Sequence, residues 1–174
     1  MRVASLAFIV WGFTTTASPA LAGMTQKDVL VATRALGFME NAPHGTINVG
    51  IVYAPGNKSS AQDAENMQEL LGDGLKVGNL TLRPVMVSVD DIAGANVNVF
   101  FLADGVEADG AKVAAASRTR RIPCVTTDVA QVKNGSCVLG VRSQPKVEIL
   151  VNRAAAAASG VVFAGVFRMM ITEF

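Results

Sequence analysis

The chain reads as an α/β protein: a largely parallel sheet with helices on both sides, finished by an antiparallel hairpin. Three observations predict this. β-branched apolar runs alternate with helix-like segments between residues 46 and 127, and such alternation implies parallel strands joined by crossover helices. One of those runs, Val97 to Ala103, is nearly all apolar, as a central strand covered on both faces must be. Near the end, "GSCVLGVRSQPKVEILVN" puts only Ser143-Gln144-Pro145 between two strand-like runs, which is hairpin rather than crossover spacing.

The elements follow in order. Arg2 precedes the apolar run Val3 to Phe13, small and polar residues come next, and Ala20-Leu21-Ala22 has the small-x-small form that a signal peptidase accepts. The apolar core is shorter than the ~20 residues a spanning helix needs. Residues 1–22 are therefore expected to be an export signal cleaved after Ala22, with a mature chain that is periplasmic. No cysteine follows the small residues, which argues against a lipoprotein anchor. What remains is one domain's worth of chain: a short helix and connecting loop over 23–45, then a single α/β domain over 46–174.

Thr25 is placed to cap the first helix, Val29, Ala32 and Leu36 share its apolar face, and Gly37 stops it. Thr46 to Ala54 is a buried-type strand. Ser59 and Gln62 have capping-box spacing at the head of a helix whose apolar face is Ala61, Ala64, Met67, Leu70 and Leu71, with Gly72 and Gly74 ending it. Leu80 to Val89 and Val97 to Ala103 read as strands, "EADGAKVAAASR" as a helix, and Ile122 to Thr127 as a strand. After the hairpin, Val147, Ile149 and Val151 alternate with Lys146, Glu148 and Leu150, as a strand near an edge does. Asn152 is placed to cap the alanine-rich helix and Gly160 to close it. "VVFAGVFRMMITEF" reads as a last strand or short helix that turns Phe163 and Phe167 inward.

Charge narrows the function classes. The chain carries 15 Lys and Arg against 14 Asp and Glu, and the export signal takes Arg2 with it, so the mature chain is formally balanced. Scattered, balanced charge gives no footprint for nucleic acid or anionic lipid. Nor is membrane insertion of the mature chain expected, since "VVFAGVFRMMI" is too short to span and contains Arg168.

Candidate chemistry is sparse. His44, the chain's one histidine, lacks the further His or free Cys ligands that a metal site needs and reads as a solvent-facing loop residue. No G-x-S-x-G elbow accompanies it, and the adjacent Asp90-Asp91 pair reads as helix initiation. No metal, no cofactor and no catalytic set are expected. "APGNKSS" (54–60) follows a strand and opens a helix, where backbone N–H groups and Lys58 would attract an anion. It lacks the G-x-x-x-x-G-K-[ST] spacing, so a turn plus helix cap is the preferred reading.

Segments leaving the C-terminal ends of parallel strands gather along one edge, here 54–60, 88–91, 103–105 and 126–128. Gly56, Asn57, Lys58, Ser59, Asp90, Asp104, Thr127 and Asp128 are the candidates for a small-ligand crevice there, against the alternative that these are plain polar connections. Arg118, Arg120 and Arg121 are candidates for a partner contact, although clustered arginines at a helix C-terminus are also favoured by the macrodipole. Cys124 and Cys137 are the chain's two cysteines. In an oxidising compartment an even count implies pairing, so a structural disulfide is expected. A rival register exists, because Asn134-Gly135 is a strong hairpin-turn signal that would set Cys137 opposite Val132.

The layout "INVGIVYA", helix, "RPVMVSVDDIAGANVNVFFLA", helix, "RIPCVTTD", then "KVEILVN", "NRAAAAASG" and "VVFAGVFRMM" resembles the YfiR-like family of small periplasmic proteins over about Ile47 to Met170. That resemblance implies a Rossmann-like three-layer sandwich. It also implies a non-enzymatic regulator that binds the periplasmic part of a membrane-bound signalling protein, such as a diguanylate cyclase of cyclic di-GMP signalling or a sensor kinase, with a homodimer among the expected states. Redox-sensing members can carry a second cysteine pair, which this chain lacks. The alternative function is a small-ligand binding module related to transporter substrate-binding domains, resting on the strand-end loops.

Overall fold

The computed structural model describes residues 23–174, and the expected export signal, residues 1–22, lies outside them. The chain runs α1 (Gln26–Leu36), β1 (Gly45–Tyr53), α2 (Lys58–Leu71), β2 (Leu75–Val77), β3 (Leu80–Ser88), β4 (Val99–Leu102), α3 (Gly110–Arg120), β5 (Cys124–Thr126), α4 (Val129–Lys133), β6 (Leu139–Arg142), β7 (Glu148–Val151), α5 (Arg153–Ala158), α6 (Gly165–Arg168) and β8 (Thr172–Glu173). One 8-stranded sheet has the order β2-β3-β1-β4-β5-β6-β7-β8. β3, β1, β4, β5 and β6 run parallel to one another, while β2 and β7 pair antiparallel with β3 and β6.

The strands show why the sheet is the middle layer of three. Along β1 and β4, Val49, Ile51, Val99 and Phe101 face one apolar core, and Val52, Phe100 and Leu102 face a second. Alternate residues of a strand point to opposite faces, so a strand apolar at every position is buried on both. α1 and α2 supply Leu36, Ala64 and Met67 to the first core. α3 supplies Val113 and Ala116 to the second. Phe100 and Phe101 are both fully buried, and each such side chain contributes about 1.5–3 kcal/mol relative to exposure.

Local chemistry sets the helix starts. Thr25 caps α1 as expected: its Oγ1 accepts the Asp28 N–H (3.2 Å), and Asp28 Oδ2 accepts the Thr25 N–H (3.0 Å). The start of α2 differs from the expectation. Its cap is Asn57, whose Oδ1 accepts N–H groups from Ser59 (3.1 Å) and Ser60 (3.4 Å). Ser59 already lies inside the helix, and Gln62 turns to Glu65 and Asn66. The buried Ser60 hydroxyl accepts the Ala54 N–H (3.1 Å), tying the helix to the end of β1.

Two elements were not expected. β2 pairs with β3 across Gly78-Asn79. α4, capped by Asp128 Oδ1 accepting from the Ala130 N–H (2.7 Å), crosses from β5 to β6 and makes them parallel neighbours. Asn134 ends that helix and Gly135 takes φ +78°, so the Asn-Gly pair terminates a helix and turns no hairpin. The β6–β7 hairpin is as expected, with pairs from Leu139–Val151 to Arg142–Glu148. Asn152 caps α5 through the Ala155 N–H (2.9 Å) and also donates to the Val132 carbonyl (2.9 Å). Phe163 and Phe167 turn inward, with Phe167 stacked on Phe38 at a centroid distance of 4.7 Å.

Candidate functional site at the C-terminal edge of the sheet

The chain passes from β1 to β3 on one side and reaches β4 on the other, so a topological switch point lies between β1 and β4. The loops leaving the two strands diverge there, where crevices form in open α/β sheets. Asn57 spans it, its Nδ2 donating to the Gly105 carbonyl (3.4 Å). Beside that tether opens a cleft of about 610 Å³ along the ends of β4, β5 and β6, lined by Asp104, Glu107, Thr127, Asp128, Val129, Arg142, Ser143 and Gln144, with Gly23, Thr25 and Asp28 from the start of α1.

Three of the sequence candidates, Asp104, Thr127 and Asp128, therefore come together. Asn57 holds the neighbouring loop, while Gly56, Lys58 and Ser59 are exposed and outside the lining. Asp90 is also elsewhere, paired with Lys112 (2.8 Å). Glu107, Arg142, Ser143 and Gln144 were not anticipated. The signal that places the last three is the direction of β6: once it runs parallel to β5, its C-terminal end joins the same edge.

The cleft is acidic. Burial pushes the Asp104 carboxyl up from its ordinary value, and repulsion from Asp63, Glu107 and Asp128 pushes it further. Asp63, on α2 behind the loop, is also raised by burial, partly offset because its Oδ2 accepts the Asp104 N–H (2.9 Å). Among the described residues Arg142 is the one lysine or arginine in the lining, and it is committed to Glu148. Ser143 is buried, its carbonyl accepts from Lys27 Nζ (3.0 Å), and its Oγ has no hydrogen-bond partner among the described residues. Among the described residues no group of three or more His, Cys, Asp or Glu side chains is placed to hold a metal ion.

The remaining candidates lie apart. Cys124 and Cys137 form a disulfide with Cα atoms 5.3 Å apart. Both are buried against the α3 side of the sheet and are not among the residues lining the cleft. The three arginines have different surroundings. Arg118 lines a separate depression of about 400 Å³ with Ser117, Ser136, Asn152 and Ser159, and Arg120 donates to the Ala93 and Ala95 carbonyls. Arg121 packs along Gly160. His44 is exposed. The segment 162–170 exposes Val162, Val166, Met169 and Met170, and Phe38 and Phe174 are exposed as well. Among the described residues no helix is long and apolar enough to cross a membrane.

No protein-family model matches the chain, and no curated protein matches it either. Solved structures do. One is the ABC domain from Streptococcus pneumonia in complex with L-Trp (12% identity, TM-score 0.56), covering 85% of this chain and 59% of that one. A conserved domain protein from Vibrio cholerae matches at 13% identity and TM-score 0.57, with the same coverage. CD0873 from Clostridium difficile, a substrate binding protein with adhesive properties in its ligand-free, open form, matches at 10% and 0.57, covering 85% and 58%. The chain thus spans a little under three fifths of the length of these structures. At such identities the likeness establishes the fold: a mixed α/β architecture with a mostly parallel sheet, shared with these solved structures.

Proposed function

We propose that the chain is a small-ligand binding module whose site is the cleft at the C-terminal edge of β4, β5 and β6. The observation that carries this reading is a cleft of about 610 Å³ lined by Asp104, Asp128 and Ser143, whose buried Oγ has no hydrogen-bond partner among the described residues. A buried polar atom without a partner costs ~1–3 kcal/mol, and a bound molecule that supplies the partner recovers that cost. The acidic lining favours a ligand that offers hydrogen-bond donors or a positive charge. The likeness to a substrate binding protein and to a domain holding L-Trp supports the same class. Thermal-shift titration against cationic, zwitterionic and anionic small molecules tests it, with hits re-measured by calorimetry on Ser143→Ala and Asp128→Asn. Cationic or zwitterionic compounds should raise the melting temperature, and each substitution should weaken binding about tenfold, the value of one lost hydrogen bond to a charged group. A panel with no shift, or variants that bind as the parent does, refutes the reading.

A second reading, a periplasmic regulator held to a membrane-bound signalling protein, is favoured by one specific feature. Val166, Met169 and Met170 are 58%, 81% and 64% exposed, and clustered exposed apolar side chains mark interaction surfaces. The YfiR-like sequence layout supports this reading too. Pull-down from native membranes should recover a diguanylate cyclase or sensor kinase, and Met169→Asp with Met170→Asp should abolish the recovery. Recovery that survives both substitutions counts against it.

A further inference from the structure

We propose that export processing creates the missing cation of the acidic corner: the α-ammonium of Gly23, freed by cleavage after Ala22, pairs with Asp63 of α2. The inference rests on the export signal and is independent of which ligand the cleft takes.

The geometry starts with a close approach. A Cβ placed on Gly23 would lie 1.6 Å from Asp63 Oδ1 and 2.5 Å from its Cγ, so the carboxylate sits directly on the Gly23 backbone and no side chain fits between them. Gly23 is held there from its C-terminal side. Met24 is buried in the first core, and Thr25 is locked by its reciprocal bonds with Asp28. Within one residue the backbone nitrogen and the Cβ position are about 2.5 Å apart, from standard bond lengths and angles. The Gly23 nitrogen therefore lies within about 4 Å of Asp63 Oδ1, which is ion-pair range.

In the unprocessed chain that nitrogen is a neutral amide. Hydrolysis of the Ala22–Gly23 bond by a signal peptidase adds water across it. A carboxylate is left on Ala22, and an amine on Gly23 that takes a proton near neutral pH. The charges facing this point come from every packed element. Asp63 lies on α2, Asp104 and Glu107 on the loop after β4, Asp128 at the cap of α4, and Asp28 and Lys27 on α1, with Arg142 at the end of β6. Arg142 is committed to Glu148, and Lys27 to the Ser143 carbonyl. Among the described residues Asp63 makes no ion pair. Its free oxygen and the new ammonium complete each other, and burial, which raises both Asp63 and Asp104, strengthens the attraction.

The first test is the exported protein itself, whose first residue by intact mass should be Gly23; another start overturns the proposal. The same mature chain is then prepared from a fusion cut without extra residues. Its α-amino group, followed by NMR, should titrate at least about half a pH unit above the ~7.7 of a free α-amine and return to that value in Asp63→Asn. Equal titration in both proteins overturns the pairing. If Asp63→Asn does not fold, Nα-acetylated mature chain replaces it. An amine raised in the folded state stabilises below its unfolded value and loses that contribution as pH rises through the folded one. The acetylated form should therefore melt lower than the free amine at pH 6 and equal it at pH 10. A gap that is absent at pH 6, or persists at pH 10, refutes the ion pair. None of these readouts uses a ligand, so failure here is distinct from failure of the binding reading.

Discussion

Reducing the Cys124–Cys137 bridge should lower stability by an amount the fold itself fixes. The cysteines are 13 residues apart, and the closed loop contains the α4 crossover. Loop-closure entropy for that length gives about 3 kcal/mol at room temperature. With a urea m-value of about 2 kcal/mol/M, the midpoint should drop by about 1.5 M, and the melting temperature should fall about 6–12 °C for a chain of this size. Both cysteines are buried, and reduction removes the bond while keeping both side chains, so it reads chiefly the tether. The double substitution Cys124→Ala with Cys137→Ala also removes their packing and should unfold at still lower urea. Equilibrium unfolding followed by circular dichroism, with and without a phosphine reductant, reads all three states. If oxidised and reduced proteins share one midpoint, or if the alanine pair exceeds the reduced protein, the chain-entropy account fails.

Two further substitutions probe polar groups elsewhere. Asn152→Ala removes the cap of α5 and the donor to the Val132 carbonyl, about 1 kcal/mol each. A loss of about 2 kcal/mol in urea unfolding is expected, and Asn152→Asp should restore only the cap; wild-type stability in the Asp variant refutes the second role. Asp104 ionises less readily in the folded state than unfolded because it is buried and surrounded by carboxylates, so its charge opposes folding once pH rises past its ordinary value. Asp104→Asn should therefore unfold at higher urea than the parent at pH 7, with the difference closing towards pH 4. Equal midpoints at pH 7 would refute the repulsion argument.

Long periodic segments were readable from sequence, and short ones were not. α2 showed its apolar face at Ala64, Met67 and Leu71, and the all-apolar β4 announced a strand buried on both sides. The cap of α2 was misplaced by two residues because Ser59 and Gln62 happen to have the spacing of a reciprocal pair, whereas Asn57 reaches both N–H groups without one. β2 has three residues and α4 five, too few for either period to register. α4 mattered most. Without it the run from Cys124 to Cys137 read as a strand followed by a turn, and with it β6 runs parallel to β5. That single change carries Arg142 and Ser143 to the cleft, which is why the positional rule found Asp104, Thr127 and Asp128 but missed their neighbours. Gly23 could not be foreseen, because its role depends on packing against Asp63, 40 residues away.

β2 pairs only with Leu80–Leu82, whereas β3 continues to Ser88. Among the described residues the stretch Arg83–Ser88 is therefore an open edge of the sheet. Proline has no N–H to offer an incoming strand, and a charged neighbour discourages one, so Pro84 beside Arg83 interrupts that edge near its start. Protection against sheet-to-sheet growth thus rests on two side chains, and Pro84→Val with Arg83→Thr would remove it.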